Sequence, residues 1–159
     1  MSHAAFLIRP MRPDDADAAA DLIRAAFASI APPLAPPPSA LRETAETVRA
    51  QIEAGGGAVA DAQGALAGAV LWDVREGGLY VKRLSVAPEF RRLGVAGALV
   101  MASEAVARAD RHPRIHAGVR LRLIGNRALF ASLGFCETFQ HAHDGFTEPT
   151  WVEMEKRLT

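Results

Sequence analysis

The 159 residues carry 18 basic and 18 acidic side chains; half of them are hydrophobic and under a quarter are charged. That length suits one domain with its own core, and the balanced charge leaves no global field to gather nucleic acid or an anionic membrane. Cys136 is the only cysteine, so no internal disulfide can form. Met1 to Pro13 lacks a basic leader and no apolar stretch approaches a membrane span, so the expectation is a cytoplasmic protein with a single domain over residues 1–159.

In chain order, Phe6 to Arg9 reads as a strand, and Pro13 with Asp14 or Asp15 opens a helix, because carboxylates there accept from free backbone N–H groups. Ala19, Leu22, Ile23, Ala26 and Phe27 recur at helical spacing as its buried face. Residues 32–38, Pro-Pro-Leu-Ala-Pro-Pro-Pro, can neither continue a helix nor donate to a ladder, and form a stiff loop. Ser39 is expected to cap a second helix, with Leu41, Ala45, Val48 and Ile52 inward, ended by Gly55-Gly56-Gly57.

Three strands follow: Ala58 to Ala60, Leu66 to Val74 and Leu79 to Val86, separated by turns at Asp61 to Gly64 and Glu76 to Gly78. Pro88 stops the last. Val95, Leu99, Ala102 and Val106 mark a third helix, Arg114 to Leu123 a strand, Asn126 to Leu133 a short helix closed by Gly134. Phe135 to His143 and Trp151 to Arg157 are the final strands. This order implies an α/β (α+β) fold: a mixed, mostly antiparallel sheet flanked by about four helices.

The informative stretch runs from Leu84-Ser85-Val86 through Pro88 to Arg91-Arg92-Leu93-Gly94-Val95-Ala96-Gly97. A strand ends at a proline, passes two arginines and enters a helix through glycines. The first N–H groups of a helix lack internal partners and stand at the positive end of its dipole. Glycine lets phosphate oxygens approach that backbone, and each arginine adds a charge-assisted donor worth on the order of 1.5–3 kcal/mol. The arrangement suits a pyrophosphate. It lacks the Gly-Lys-Ser/Thr ending of a Walker loop and the spacing of the dinucleotide fingerprint.

The motif Val86-x-Pro88-x-x-Arg91-x-x-Gly94-x-Ala96, with Asn126 to Phe130 on a short helix leading to Gly134-Phe135, resembles the GCN5-related N-acetyltransferase (GNAT) superfamily over nearly the whole chain. The resemblance implies transfer of an acetyl or other short acyl group from acyl-CoA to a primary amine, with acetyl-CoA as donor and no metal. It implies that backbone around Leu84 and Val86 pairs with pantetheine, that Arg91 to Gly97 hold the pyrophosphate, and that Asn126 and Phe130 lie along the cofactor arm. It places the proline loop beside the acceptor, and family members often form homodimers. Two departures stand out. The interval from Asn126 to Gly134 is shorter than in many members, and Phe130 stands where the family usually has a tyrosine that protonates the CoA sulfur.

Tyr80, the only tyrosine, precedes Val86 by six residues, where the resemblance places a base in some members; positioning of substrate or water, or a half-buried strand tyrosine, are the alternatives. Ser132 is a proton donor or a plain exposed helix serine. His141 and His143 read as solvated or acceptor-lining residues, His112 and His116 as a surface loop, and Cys136 as a small buried hydrophobe. Asp144 or Glu148 either attracts an ammonium group or merely solubilises a turn. A non-catalytic acyl-CoA-binding module, and a protein-interaction domain using the proline loop, are the rival functions.

Overall fold

The computed structural model describes residues 5–158. Seven strands form one sheet in the order β1-β2-β3-β4-β5-β7-β6. They are β1 (Leu7–Pro10), β2 (Gly56–Ala62), β3 (Ala65–Arg75), β4 (Gly78–Val86), β5 (Arg114–Arg120), β6 (Cys136–His141) and β7 (Trp151–Arg157), with helices α1 (Ala16–Ala28), α2 (Ala45–Ala54), α3 (Val95–Ala109) and α4 (Ile124–Ser132). This is the mixed, mostly antiparallel sheet with four helices expected from the element order. Among the described residues no helix is long and apolar enough to cross a membrane.

The central strands are buried on both faces, and their period of two divides them between two cores. Val59, Ala69 and Leu71 meet Ala16, Ala19, Ala20 and Ile23 of α1 and Val48 of α2. Their neighbours Ala58, Ala60 and Val70 meet Val95, Leu99 and Val100 of α3. Fully burying a side chain such as Ile23 or Leu99 contributes about 1.5–3 kcal/mol, so these two interfaces fix where α1 and α3 sit. Gly68 allows α3 its close approach: a Cβ there would fall 2.7 Å from Val95 Cγ1.

The one parallel pairing is β4 with β5, and it covers only Leu79–Ile115, Tyr80–His116 and Val81–Ala117. Beyond Val81 the strands part. Residues 82–86 keep β3 on one side and no strand on the other, so their polar groups are open to a ligand. β5 stops at Arg120, short of the expected Leu123, and the chain turns there into α4, which begins at Ile124 rather than Asn126.

β4 also carries one residue more than β3 where Ala69 opposes Ser85 and Leu71 opposes Lys82. Arg83 takes φ 59° in this bulge, which redirects the strand beside the opening. Its guanidinium reaches Glu43 Oε2 at 2.7 Å and Ser39 Oγ at 2.9 Å. Ser39 is therefore no cap for α2. It lies in a single 3-10 turn with Leu41 only partly covered, the chain then extends at Glu43, and Thr44 caps α2 by accepting from Thr47 N at 3.2 Å.

Candidate active site

The start of α3 is a bare helix N-terminus. Gly94 is its N-cap in the left-handed conformation, φ 82°, and no side chain caps the first turn. A Cβ built on Gly94 would meet nothing within 4 Å. The glycine therefore serves the backbone turn and leaves clear space in front of the helix. Pro88–Phe90 form the short turn that leads in, and Arg92, φ 63°, shares the left-handed geometry.

A cleft of about 500 Å³ opens at this point, lined by Leu84, Ser85, Val86, Arg91, Arg92, Gly94, Val95, Ala96, Gly97 and Asn126 among others. Ser85 and Val95 are buried in its wall, and Ser85 Oγ donates to Arg83 O at 3.0 Å. Arg91 and Arg92 are its only charged lining residues. Arg91 is steadied by Ser29, whose Oγ accepts from Nη2 at 3.1 Å. Leu93 is exposed and lies outside the cleft.

A second cleft, about 430 Å³, lies across the splay and shares Phe27, Leu84, Leu123 and Asn126 with the first. The side chain of Asn126, at this junction, makes no hydrogen bond with the described residues. Phe130 lines the second cleft rather than the first; the residue is buried and its ring meets Phe135 edge-on, centroids 5.0 Å apart. On the far side Arg122 donates to the carbonyls of Pro32 (2.6 Å) and Pro33 (3.0 Å), strapping the proline loop over the β5–α4 turn. Pro38 and Ser39 complete that wall.

Tyr80 stands on the floor. The Arg75 guanidinium lies 4.2 Å over its ring and His116 meets it edge-on at 5.1 Å. Its hydroxyl is 3.0 Å from where a Cβ on Gly118 would sit, and the Trp151 ring is 3.2 Å from that same point. His116, expected on a surface loop, is instead buried in β5, where Nε2–H donates to Arg75 O at 2.9 Å.

Burial holds the His116 pKa below its ordinary 6.5, because the folded site disfavours the charged ring. The folded state thus binds fewer protons than the unfolded one near that pH. Stability is complete above the ordinary histidine range and falls as pH drops through it towards the folded value. The thermal midpoint is expected to decrease by a few degrees between pH 7.5 and 5.5, and His116→Gln should flatten that decrease; an equally steep slope in the variant would exclude His116 as its source.

Residues 22–135 match the model of the acetyltransferase (GNAT) family. The chain belongs to this family. No curated protein matches the sequence, but solved structures match the fold. YncA from Salmonella typhimurium, solved with its cofactor acetyl-CoA, superposes with TM-score 0.77 at 20% identity over 98% of this chain and 95% of its own. PaiA N-acetyltransferase from Thermoplasma acidophilum, in complex with coenzyme A, gives 0.76 at 15% identity over 97% and 99%. The ribosomal-protein-alanine N-acetyltransferase from Brucella melitensis gives 0.75 at 18% over 96% and 99%.

Elsewhere in this GNAT chain, His143 lines the second cleft and His141 does not. His141 stacks on Trp151, centroids 4.3 Å apart; its Nε2 lies 3.5 Å from Glu153 Oε1, in a geometry too poor for a hydrogen bond. No three His, Cys, Asp or Glu side chains gather to hold a metal among the described residues. Asp144 and Glu148 are exposed and outside both clefts. Ser132 is exposed and donates to Leu129 O at 2.6 Å. Cys136 is exposed rather than buried, because β6 is the sheet edge and nearly all of it faces solvent.

Proposed function

We propose that this chain transfers an acetyl or other short acyl group from acyl-CoA to a primary amine by direct attack, acting as a single domain in the cytoplasm. The observation that carries this reading is the bare N-terminus of α3 behind Gly94, flanked by Arg91 and Arg92, at one end of a continuous opening along the unpaired edge of β4. Free amides, a helix dipole and two guanidinium groups with no carboxylate among the lining residues match a pyrophosphate. Solved relatives of the same fold hold acetyl-CoA or CoA.

In this reading the main chain at Leu84 and Val86 pairs with the pantetheine as an added strand. Asn126 bonds the arm where the two clefts meet, and Leu93 only shapes the turn. The acceptor enters the second cleft. Its ammonium must lose a proton before attack, since at pH 7 under about a thousandth of a lysine-like amine is neutral. His143 takes that proton: burial, then the charge of Arg120, hold its pKa below 6.5, so its imidazole is neutral at pH 7. Tyr80 positions the amine or its water. The nitrogen forms a bond to the thioester carbonyl carbon, the C–S bond breaks, and the nitrogen's second proton passes through water to the departing thiolate. A thiol pKa of about 8.5 makes it a tolerable leaving group.

Phe130 has no proton to give, and loss of a general acid costs roughly 10²–10⁴ in rate. That observation favours the second reading, a non-catalytic acyl-CoA-binding module of the same fold. The purified protein, acetyl-CoA, a thiol-detecting reagent and an amine panel decide between them. Thiol release dependent on one class of amine supports the transferase, calorimetric binding without turnover supports the module, and no binding at high acetyl-CoA concentration removes both.

A further inference from the structure

Four cations line the second cleft, Arg75, Lys82, Arg83 and Arg120, and no carboxylate does. Three of them are already paired. Arg75 Nε lies 2.9 Å and Lys82 Nζ 3.3 Å from Asp73, and Arg83 Nε 2.7 Å from Glu43. Arg120 is different. Although the residue is half-buried, its guanidinium has neither a hydrogen bond nor an ion pair among the described residues.

Its place in the strand explains why it matters. Side chains alternate along β5, so His116, Gly118 and Arg120 share a face, and that face carries Tyr80 and Trp151 over Gly118. Arg120 is the last residue of β5, on the side of the cleft towards the splay, where the thioester would arrive. A guanidinium withdrawn from water without a counter-charge is costly, and its planar fork fits a carboxylate through two parallel hydrogen bonds. Burial alone lowers its pKa, with no acid to offset it.

We infer that the acceptor is a small amine bearing a carboxylate, an amino acid, whose carboxylate is held by Arg120 while its amine faces the splay. The inference rests on the transferase reading above. A polyamine or a lysine side chain would bring further positive charge among four cations whose two nearby carboxylates, Asp73 and Glu43, are engaged. An amino acid brings the missing anion, and Trp151, Tyr80 and Phe27 offer apolar surface to its side chain.

The test compares initial rates for each of a panel of amino acids with the corresponding amide and decarboxylated amine, an aminophosphonate serving as a second anion, in wild type and Arg120→Gln. For the preferred amino acid, kcat/KM is expected to exceed that of its amide by on the order of 10–100-fold, the range for a charge-assisted pair. Arg120→Gln should collapse that ratio, Arg120→Lys should recover part of it, and the Kd for acetyl-CoA should stay the same. Amides or polyamines turning over as well as amino acids would overturn the inference and leave the transferase standing, as would an acid-to-amide ratio unchanged in the variant. Preference for the aminophosphonate over every carboxylate would also overturn it.

A second measurement needs no turnover: titration of N-acetylated amino acids, the products, into the donor-free protein. Binding that weakens on the order of 10–100-fold in Arg120→Gln supports the inference even if acetyl-CoA transfer fails. Absence of binding by any of them overturns it.

Discussion

Gly94→Glu is expected to weaken acetyl-CoA binding at least about 100-fold, or some 2.8 kcal/mol at 1.4 kcal/mol per decade, with the protein still folded. The backbone at this N-cap sits at φ 82° with open space ahead of it. A glutamate there meets no steric clash, and its backbone strain is about 1–2 kcal/mol, which a packed domain tolerates. Its carboxylate, however, stands where the diphosphate would, and cancels the positive end of α3 as well as the charge of Arg91 or Arg92. Gly94→Asn is the control, because asparagine tolerates the left-handed region and adds no charge. It should cost only a few-fold. Calorimetry with acetyl-CoA, alongside thermal melts, reads both. Equal affinities in the glutamate variant and wild type would remove the pyrophosphate assignment.

Gly118→Val separates the two clefts. Glycine here is not a conformational necessity, and valine suits a strand. The lack of a side chain instead makes room: a Cβ would lie 3.0 Å from the Tyr80 hydroxyl and 3.2 Å from the Trp151 ring. The branched side chain must push both and fill part of the roughly 430 Å³ cleft. Misplacement of reacting groups by about 1 Å can cost 10²-fold, so kcat/KM for the acceptor should fall on the order of 100-fold. Affinity for acetyl-CoA should not change, because Gly118 lies outside the first cleft. Parallel loss of donor binding would show that the clefts are not divided between donor and acceptor in this way.

What could be read before folding was local. The apolar strand run from Leu66 to Val74, the stripe of Val95 and Leu99, and the run from Pro88 to Gly97 each express energies set within a few residues: strand propensity, helix periodicity, and the free amides of a helix start. The strand order was legible only as a class, and a few local readings failed where two residues competed for one role. Ser39 and Thr44 are both chemically able to cap a helix, and the extended Glu43 between them, paired with Arg83 across 40 positions, selects Thr44. Cys136 follows the buried Phe135, yet is exposed because the strand it opens became the sheet edge.

The sequence by itself determined the uncapped, glycine-opened start of α3 beside two arginines, and the family, since glycine, proline and arginine act there through their own backbone freedom and charge. Only the tertiary structure decided the second cleft. It brought Tyr80, Gly118, Arg120, His143 and Trp151 from four separate segments to one cleft, moved Phe130 into its wall, and paired every lining arginine and lysine except Arg120. The reason is range. A charge is neutralised or left free by whichever carboxylate the sheet order places beside it, and that neighbour is chosen by strand pairing across the whole chain rather than by adjacent residues.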